Sequence, residues 1–122
     1  MNAKLLSVAA TILALLSAAA VADPYDDRMN RLAADSGCTL CHSAGPVRSK
    51  DVVPLRAPSW SEIAERYRNR PGAEDKLVAI VVGGSGPGGR HWAGKTGGVE
   101  MPANRVEIKE EDVRSLIRWI LR

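Results

Sequence analysis

The chain of 122 residues contains no phenylalanine and only five aromatics, three Trp and two Tyr. Aliphatic side chains alone would give a domain of this size a thin core. Cysteine is almost as scarce. Cys38 and Cys41 are the only two. With His91 the only other histidine besides His42, a zinc site is short of ligands. The formal charge of +3 is small and the twelve arginines are scattered, which argues against a nucleic-acid or strongly membrane-bound role. No G-K-[ST] follows a strand, so no phosphate loop is present. No internal repeat or low-complexity segment appears beyond the N-terminal stretch.

What is present is concentrated in Cys38-Thr39-Leu40-Cys41-His42. Two cysteines two residues apart, followed at once by histidine, form the c-type haem attachment signature. The spacing has a chemical reason. One tight turn lets both thiols reach the two vinyl groups of a single haem and form thioethers, and the next residue offers its imidazole to the iron. The rival readings are a redox dithiol of the thioredoxin kind and half of a zinc site. The dithiol reading expects β-α-β patterning, which the sequence lacks. Haem also answers the thin core, because it brings a large flat apolar surface of its own.

Residues 1–22 stand apart. Met1-Asn2-Ala3-Lys4 is a positive n-region, Leu5 to Ala19 is an apolar run, and Ala20-Val21-Ala22 is a small-x-small site. This is the pattern of a secretory signal peptide cleaved after Ala22; the alternative is an uncleaved membrane anchor. Cleavage would leave a domain of 100 residues, 23–122, and losing Lys4 would take the charge from +3 to +2. Export suits the chemistry, since thioethers keep both thiols from pairing in an oxidising compartment. The localisation implied is the periplasm.

Four helices are expected. Tyr25, Met29, Leu32 and Ala33 share one face of a helix over 25–36, stopped by Gly37. Ser59-Trp60-Ser61-Glu62 reads as a capping box, with Ser59 as N-cap and Glu62 at N3. It opens a helix to about Arg68 that buries Trp60, Ile63, Ala64 and Tyr67. A third, apolar helix spans about 73–82, with a buried strand as the rival for its β-branched end. The last runs from about Glu110 to Leu121, with Val113, Leu116, Ile117, Ile120 and Leu121 on one face and Lys109 as a poor N-cap. Between them, Gly83 to Gly98 holds eight of the eleven glycines together with His91 and Trp92. Such a loop lets backbone pack close to something flat.

Haem iron bound by His42 has a sixth position to fill. Met29 lies on a helix face, where core packing explains it. Met101 lies in a Gly/Pro loop at no helical period, and its thioether is a soft neutral ligand that raises the potential. Met101 is therefore the leading candidate, with His91 and an open or other-ligand site, several lysines included, as alternatives.

From Tyr25 to Leu121 the chain resembles the small bacterial class I c-type cytochromes. The resemblance rests on Gly37-Cys38-Thr39-Leu40-Cys41-His42, Ala57-Pro58-Ser59-Trp60, Arg90-His91-Trp92-Ala93-Gly94, Met101-Pro102-Ala103-Asn104 and Trp119-Ile120. It implies an all-α class I cytochrome c fold, four or so helices around one haem c held covalently by Cys38 and Cys41. His42 and Met101 would be the iron ligands. The Pro58 carbonyl would accept from the His42 ring, and the Trp92 indole would reach a propionate. The first and last helices would cross, with Leu32 and Ala33 against Leu116 or Trp119. Ile80 stands where some relatives carry a basic residue near a propionate; Arg90 and Lys95 are possible substitutes. The function implied is that of an electron carrier, not an enzyme, which docks transiently with periplasmic redox proteins at the haem edge. The alternatives are a subunit of a dehydrogenase complex, a ligand-binding haem, or a thiol–disulfide oxidoreductase.

Overall fold

The computed structural model describes residues 23–45, 57–86, 92, 100–104 and 108–122. The signal-like segment 1–22, and Arg90, His91 and Lys95, lie outside the described residues. Four α-helices follow in order: α1 Pro24–Asp35, α2 Trp60–Tyr67, α3 Ala73–Gly83 and α4 Glu110–Leu121. A 3-10 turn, Cys38–Leu40, stands between α1 and α2. Among the described residues there is no strand, so the β-branched end of α3 is helical. None of these helices is long and apolar enough to cross a membrane.

Local chemistry sets each boundary. α1 begins one residue earlier than its apolar period implies, because the Asp23 carboxylate accepts from Tyr25 N at 2.9 Å and Pro24 fills the first turn. Proline is suited to that position, where its missing N–H has no helical partner. Ser36 N–H donates back to Leu32 O at 3.0 Å, and Gly37 then takes φ 74°, turning the chain out of the helix. The capping box of α2 is complete. Glu62 N–H donates to Ser59 Oγ and Ser59 N–H donates to Glu62 Oε2. α4 starts at Glu110 with no side-chain bond from Lys109. Its Glu110, Glu111 and Asp112 face the positive end of the helix dipole instead.

α4 packs against each of the other three helices. Its buried stripe, Val113, Leu116, Ile117 and Ile120, meets Met29 and Ala33 of α1, Ile63, Ala64 and Tyr67 of α2, and Leu77 and Val78 of α3 in one core. Leu32 and Trp119 pack against that core from its edge. The α1–α4 contact is closed at its rim by Trp119 Nε1, which donates to Asp26 Oδ1 at 2.5 Å, and by the Arg122–Asp26 ion pair. The α3–α4 contact carries a charged rim of Glu74 and Asp75 against Arg114 and Arg118.

Candidate haem-binding site

A cavity of about 470 Å³ opens into this core. The buried stripe of α4 serves twice, since Val113, Leu116, Ile117 and Ile120 line the cavity as well as the core. Its volume falls within the roughly 300–1,000 Å³ of ligand and cofactor pockets.

One wall is built by consecutive residues. Left-handed Gly37 launches the 3-10 turn, and His42 N–H closes it by donating to Cys38 O at 3.0 Å. Cys38, Cys41 and His42 thereby reach the same cavity. Burial pushes the Cys38 thiol above its ordinary pKa. His42 Nδ1 lies 2.6 Å from Pro58 O. A carbonyl can only accept, so Nδ1 carries the proton and Nε2 is left as the unprotonated nitrogen. Burial lowers the imidazole's proton affinity, and the Pro58 bond partly opposes it. The ring stacks on Trp60, centroids 4.5 Å apart and planes 15° from parallel.

The frame behind this wall is stiff. An α-helix leaves its first N–H groups without helical partners. Here Trp60 N–H donates to Ser43 O at 2.8 Å and Ser61 N–H to Ala44 O at 3.3 Å. The strand of chain leaving His42 therefore satisfies the start of α2, and the same start places Pro58 O against His42. Ser59, between Pro58 and Trp60, is fully buried.

A second wall is assembled from separate segments. Met101 N–H donates to Ser85 Oγ at 2.8 Å, and Ser85 N–H donates to Met101 O at 2.9 Å. Asn104 N–H donates to Val81 O at 3.0 Å, filling one of the orphan carbonyls at the end of α3. Trp92 lines the cavity too, with the Arg66 guanidinium 5.4 Å from its ring centroid. All six residues nominated from sequence, Cys38, Cys41, His42, Pro58, Trp92 and Met101, thus line one cavity. His91, the alternative ligand, is not among the described residues.

Three further lining residues bear on the chemistry without being site candidates from the sequence. Trp60 stacks on the histidine, and the capping box already placed it beside Pro58. Ser85 holds Met101, and nothing in the glycine-rich segment singled it out. Lys76 lies one helical turn before Ile80, with its ammonium 5.7 Å from the Tyr67 ring centroid. Among the described residues it is the cavity's only lysine or arginine.

The residues fit haem on these grounds. The cavity is walled mainly by aliphatic and aromatic side chains, and among the described residues no buried side-chain nitrogen or oxygen lacks a partner. Two thiols sit on one wall, next to an imidazole of fixed tautomer, and a thioether sits on the other.

No protein-family model matches the chain. It is 34% identical over 90 residues to cytochrome c-551 of Allochromatium vinosum, covering 74% of this chain and 80% of that protein. It is 40% identical over 92 residues to cytochrome c2 of Rhodocyclus tenuis, covering 74% and 86%. The crystal structure of Nitrosomonas europaea cytochrome c552 superposes with a TM-score of 0.54 at 29% identity, over 75% of this chain and 95% of that one. The class 1 cytochrome MtoD of Sideroxydans lithotrophicus ES-1 gives 0.57 at 26% identity, over 79% and 92%.

Fold and site together define a haem-protein class, a helical domain whose cavity would receive the cofactor. The chain belongs to the small class I c-type cytochromes. It is an electron carrier with covalently bound haem c, works with partner redox proteins, and is not an enzyme.

Proposed function

We propose that Cys38 and Cys41 form the two thioethers, that His42 and Met101 are the axial ligands, and that the protein shuttles electrons in the periplasm after loss of residues 1–22. The observation that carries this reading is the 2.6 Å bond from His42 Nδ1 to Pro58 O, inside a cavity that Met101 also lines. That bond fixes the tautomer and leaves Nε2 to bind metal, and such a partner raises ligand basicity. When bound there, haem would supply the one-electron Fe(III)/Fe(II) couple.

The chain's own residues do the rest. Pro58 and Trp60 hold the imidazole ring in place, so it has little freedom to reorganise. Met101 contributes a soft neutral donor that favours Fe(II). The aliphatic floor from α4 keeps water away. Trp92 is assigned to the propionate side. Leu40, 81% exposed between the two cysteines, supplies an apolar contact on the docking face, where encounters are small and transient.

The test is a reduced-minus-oxidised spectrum with an intact mass of protein from a periplasmic extract. The expected result is a c-type spectrum, a chain beginning at Asp23 and one added haem. Residues 1–22 retained in a membrane fraction would overturn the soluble periplasmic reading. Ready binding of carbon monoxide by the ferrous protein would overturn the ligand assignment.

A further inference from the structure

We propose that Ser85 is a positioning residue for Met101: its hydroxyl and its backbone N–H together latch the Met101 segment to the end of α3, and so set how readily an outside ligand displaces the thioether. The inference rests on the reading of Met101 as the sixth ligand.

Three observations converge. The first is reciprocity. Ser85 N–H reaches Met101 O at 2.9 Å, while Met101 N–H reaches Ser85 Oγ at 2.8 Å. Both main-chain polar groups of Met101 are therefore held by one residue. The second is the backbone just before it. Gly84 has φ 83°, and a Cβ there would lie 3.1 Å from both Met101 O and Ala103 N. Glycine alone allows the left-handed conformation and the close approach that brings Ser85 onto the loop. The third is a second tie further along. Asn104 N–H donates to Val81 O, and Asn104 Nδ2 donates to Pro102 O at 2.8 Å. The segment from Met101 to Asn104 is thus fastened at both ends, and Ser85 is the only side chain in the first fastening.

An outside ligand reaches the iron only when the thioether has let go. Its apparent affinity scales with the fraction of molecules in that open state. If Met101 N–H loses its acceptor in the closed state, the closed state loses one hydrogen bond that the open state replaces with water. That shifts the open fraction by roughly three- to tenfold. The stability of the protein as a whole would fall by no more than that one hydrogen bond, because the helical core contains neither residue.

The experiment titrates imidazole into the ferric holoprotein, following displacement of the sulfur-to-iron absorption band, with Tm measured alongside. Ser85→Ala should bind imidazole about three- to tenfold more tightly than wild type. Ser85→Thr, which keeps the hydroxyl, should stay near wild type. Gly84→Ala should exceed Ser85→Ala if it folds. Ser115→Ala removes a comparable hydroxyl bond, 3.0 Å to Glu111 O on α4, and should leave imidazole affinity unchanged. If Ser85→Ala lowers Tm but leaves the affinity within about twofold of wild type, the residue is only structural and the proposal is overturned. A wild-type protein lacking the sulfur-to-iron band points to a different failure, that of the Met101 assignment itself.

Discussion

The two walls of the cavity are made by opposite strategies. The histidine wall is local. Five consecutive residues supply the thiols and the imidazole, and the start of α2 braces them through Pro58, Trp60 and two backbone N–H groups. The methionine wall is remote. Met101 hangs on Ser85, sixteen positions earlier, and Asn104 on the end of α3. A wall built on a capped helix is stiff because its polar groups are satisfied within one unit. A wall held by ties between separate segments can yield one tie at a time. On the proposed ligand assignment, the comparison teaches that the covalent and proximal attachments would sit where yielding would lose the cofactor, and the exchangeable one where yielding would lose only a ligand.

The largest break of that contrast is Cys38→Ala with Cys41→Ala. The expected protein gives no haem stain after denaturing electrophoresis and loses most of its helical circular dichroism. Emptying a cavity of about 470 Å³ costs at most on the order of 10 kcal/mol, which is comparable with the whole stability of a small domain. A well-folded, haem-free double variant at normal yield would mean that the helices pack without the cofactor.

Met101→Ala comes next and attacks only the remote wall. Met101 is half-buried and lies outside the helical core, so helix content should stay and haem should remain attached. The ferrous protein should now take up carbon monoxide, and Met101→His should restore six-coordination at a lower potential. Carbon monoxide uptake by the wild type would place another group, or none, at that position.

Trp60→Ala attacks the local wall. It removes the ring stacked on His42 and part of the cavity lining, at a cost of about 2 kcal/mol. That corresponds to a fall of roughly 10 °C in Tm for a domain of this size. Imidazole affinity should not change, because no tie to Met101 is touched. A rise in that affinity as large as the one expected for Ser85→Ala would show that the two walls are mechanically coupled.

Sequence reasoning was strongest where one short stretch carries the whole cause. The haem signature lies within five residues, the capping box within four, and each helix face repeats every three or four positions. These gave the four helices to within about a residue at each end. The small errors have local causes. α1 gains Pro24 because Asp23 caps it, and α3 runs on through Gly83 before Gly84 turns away. The resemblance supplied Pro58 and Trp92 as site residues. The Ser85–Met101 latch was not legible. A hydrogen bond between two non-repeating segments has no period, and a glycine-rich stretch reads only as loop. Lys76 was missed for a different reason. On a helix surface a lysine is usually solvated, and only the tertiary structure puts this one on the cavity wall.

The smallest effect lies away from both walls and asks whether charge at the α3–α4 rim matters to either. Glu74 accepts from Arg118 Nε at 3.1 Å and from Arg114 Nη1 at 3.3 Å. The Arg118 hydrogen bond, more than any other contact, holds the Glu74 carboxyl below its ordinary value of 4.5. Its charged form is favoured by folding, so its contribution is fully present above the ordinary value. The contribution is lost as pH falls through the lowered folded value. Glu74→Gln should therefore reduce Tm slightly at neutral pH, and the gap to wild type should close at an acid pH below the lowered folded value. Exposed charged pairs contribute little, and Leu77 and Val78 anchor α3 in the core independently. Imidazole affinity should accordingly stay at the wild-type value, even though α3 carries Val81 and leads into Ser85. A Tm gap of the same size at both pH values would mean that the lost stability came from packing of the side chain rather than from its charge. A changed imidazole affinity would mean that the ends of α3 move together and that the remote wall is set partly by the ion pairs on its far side.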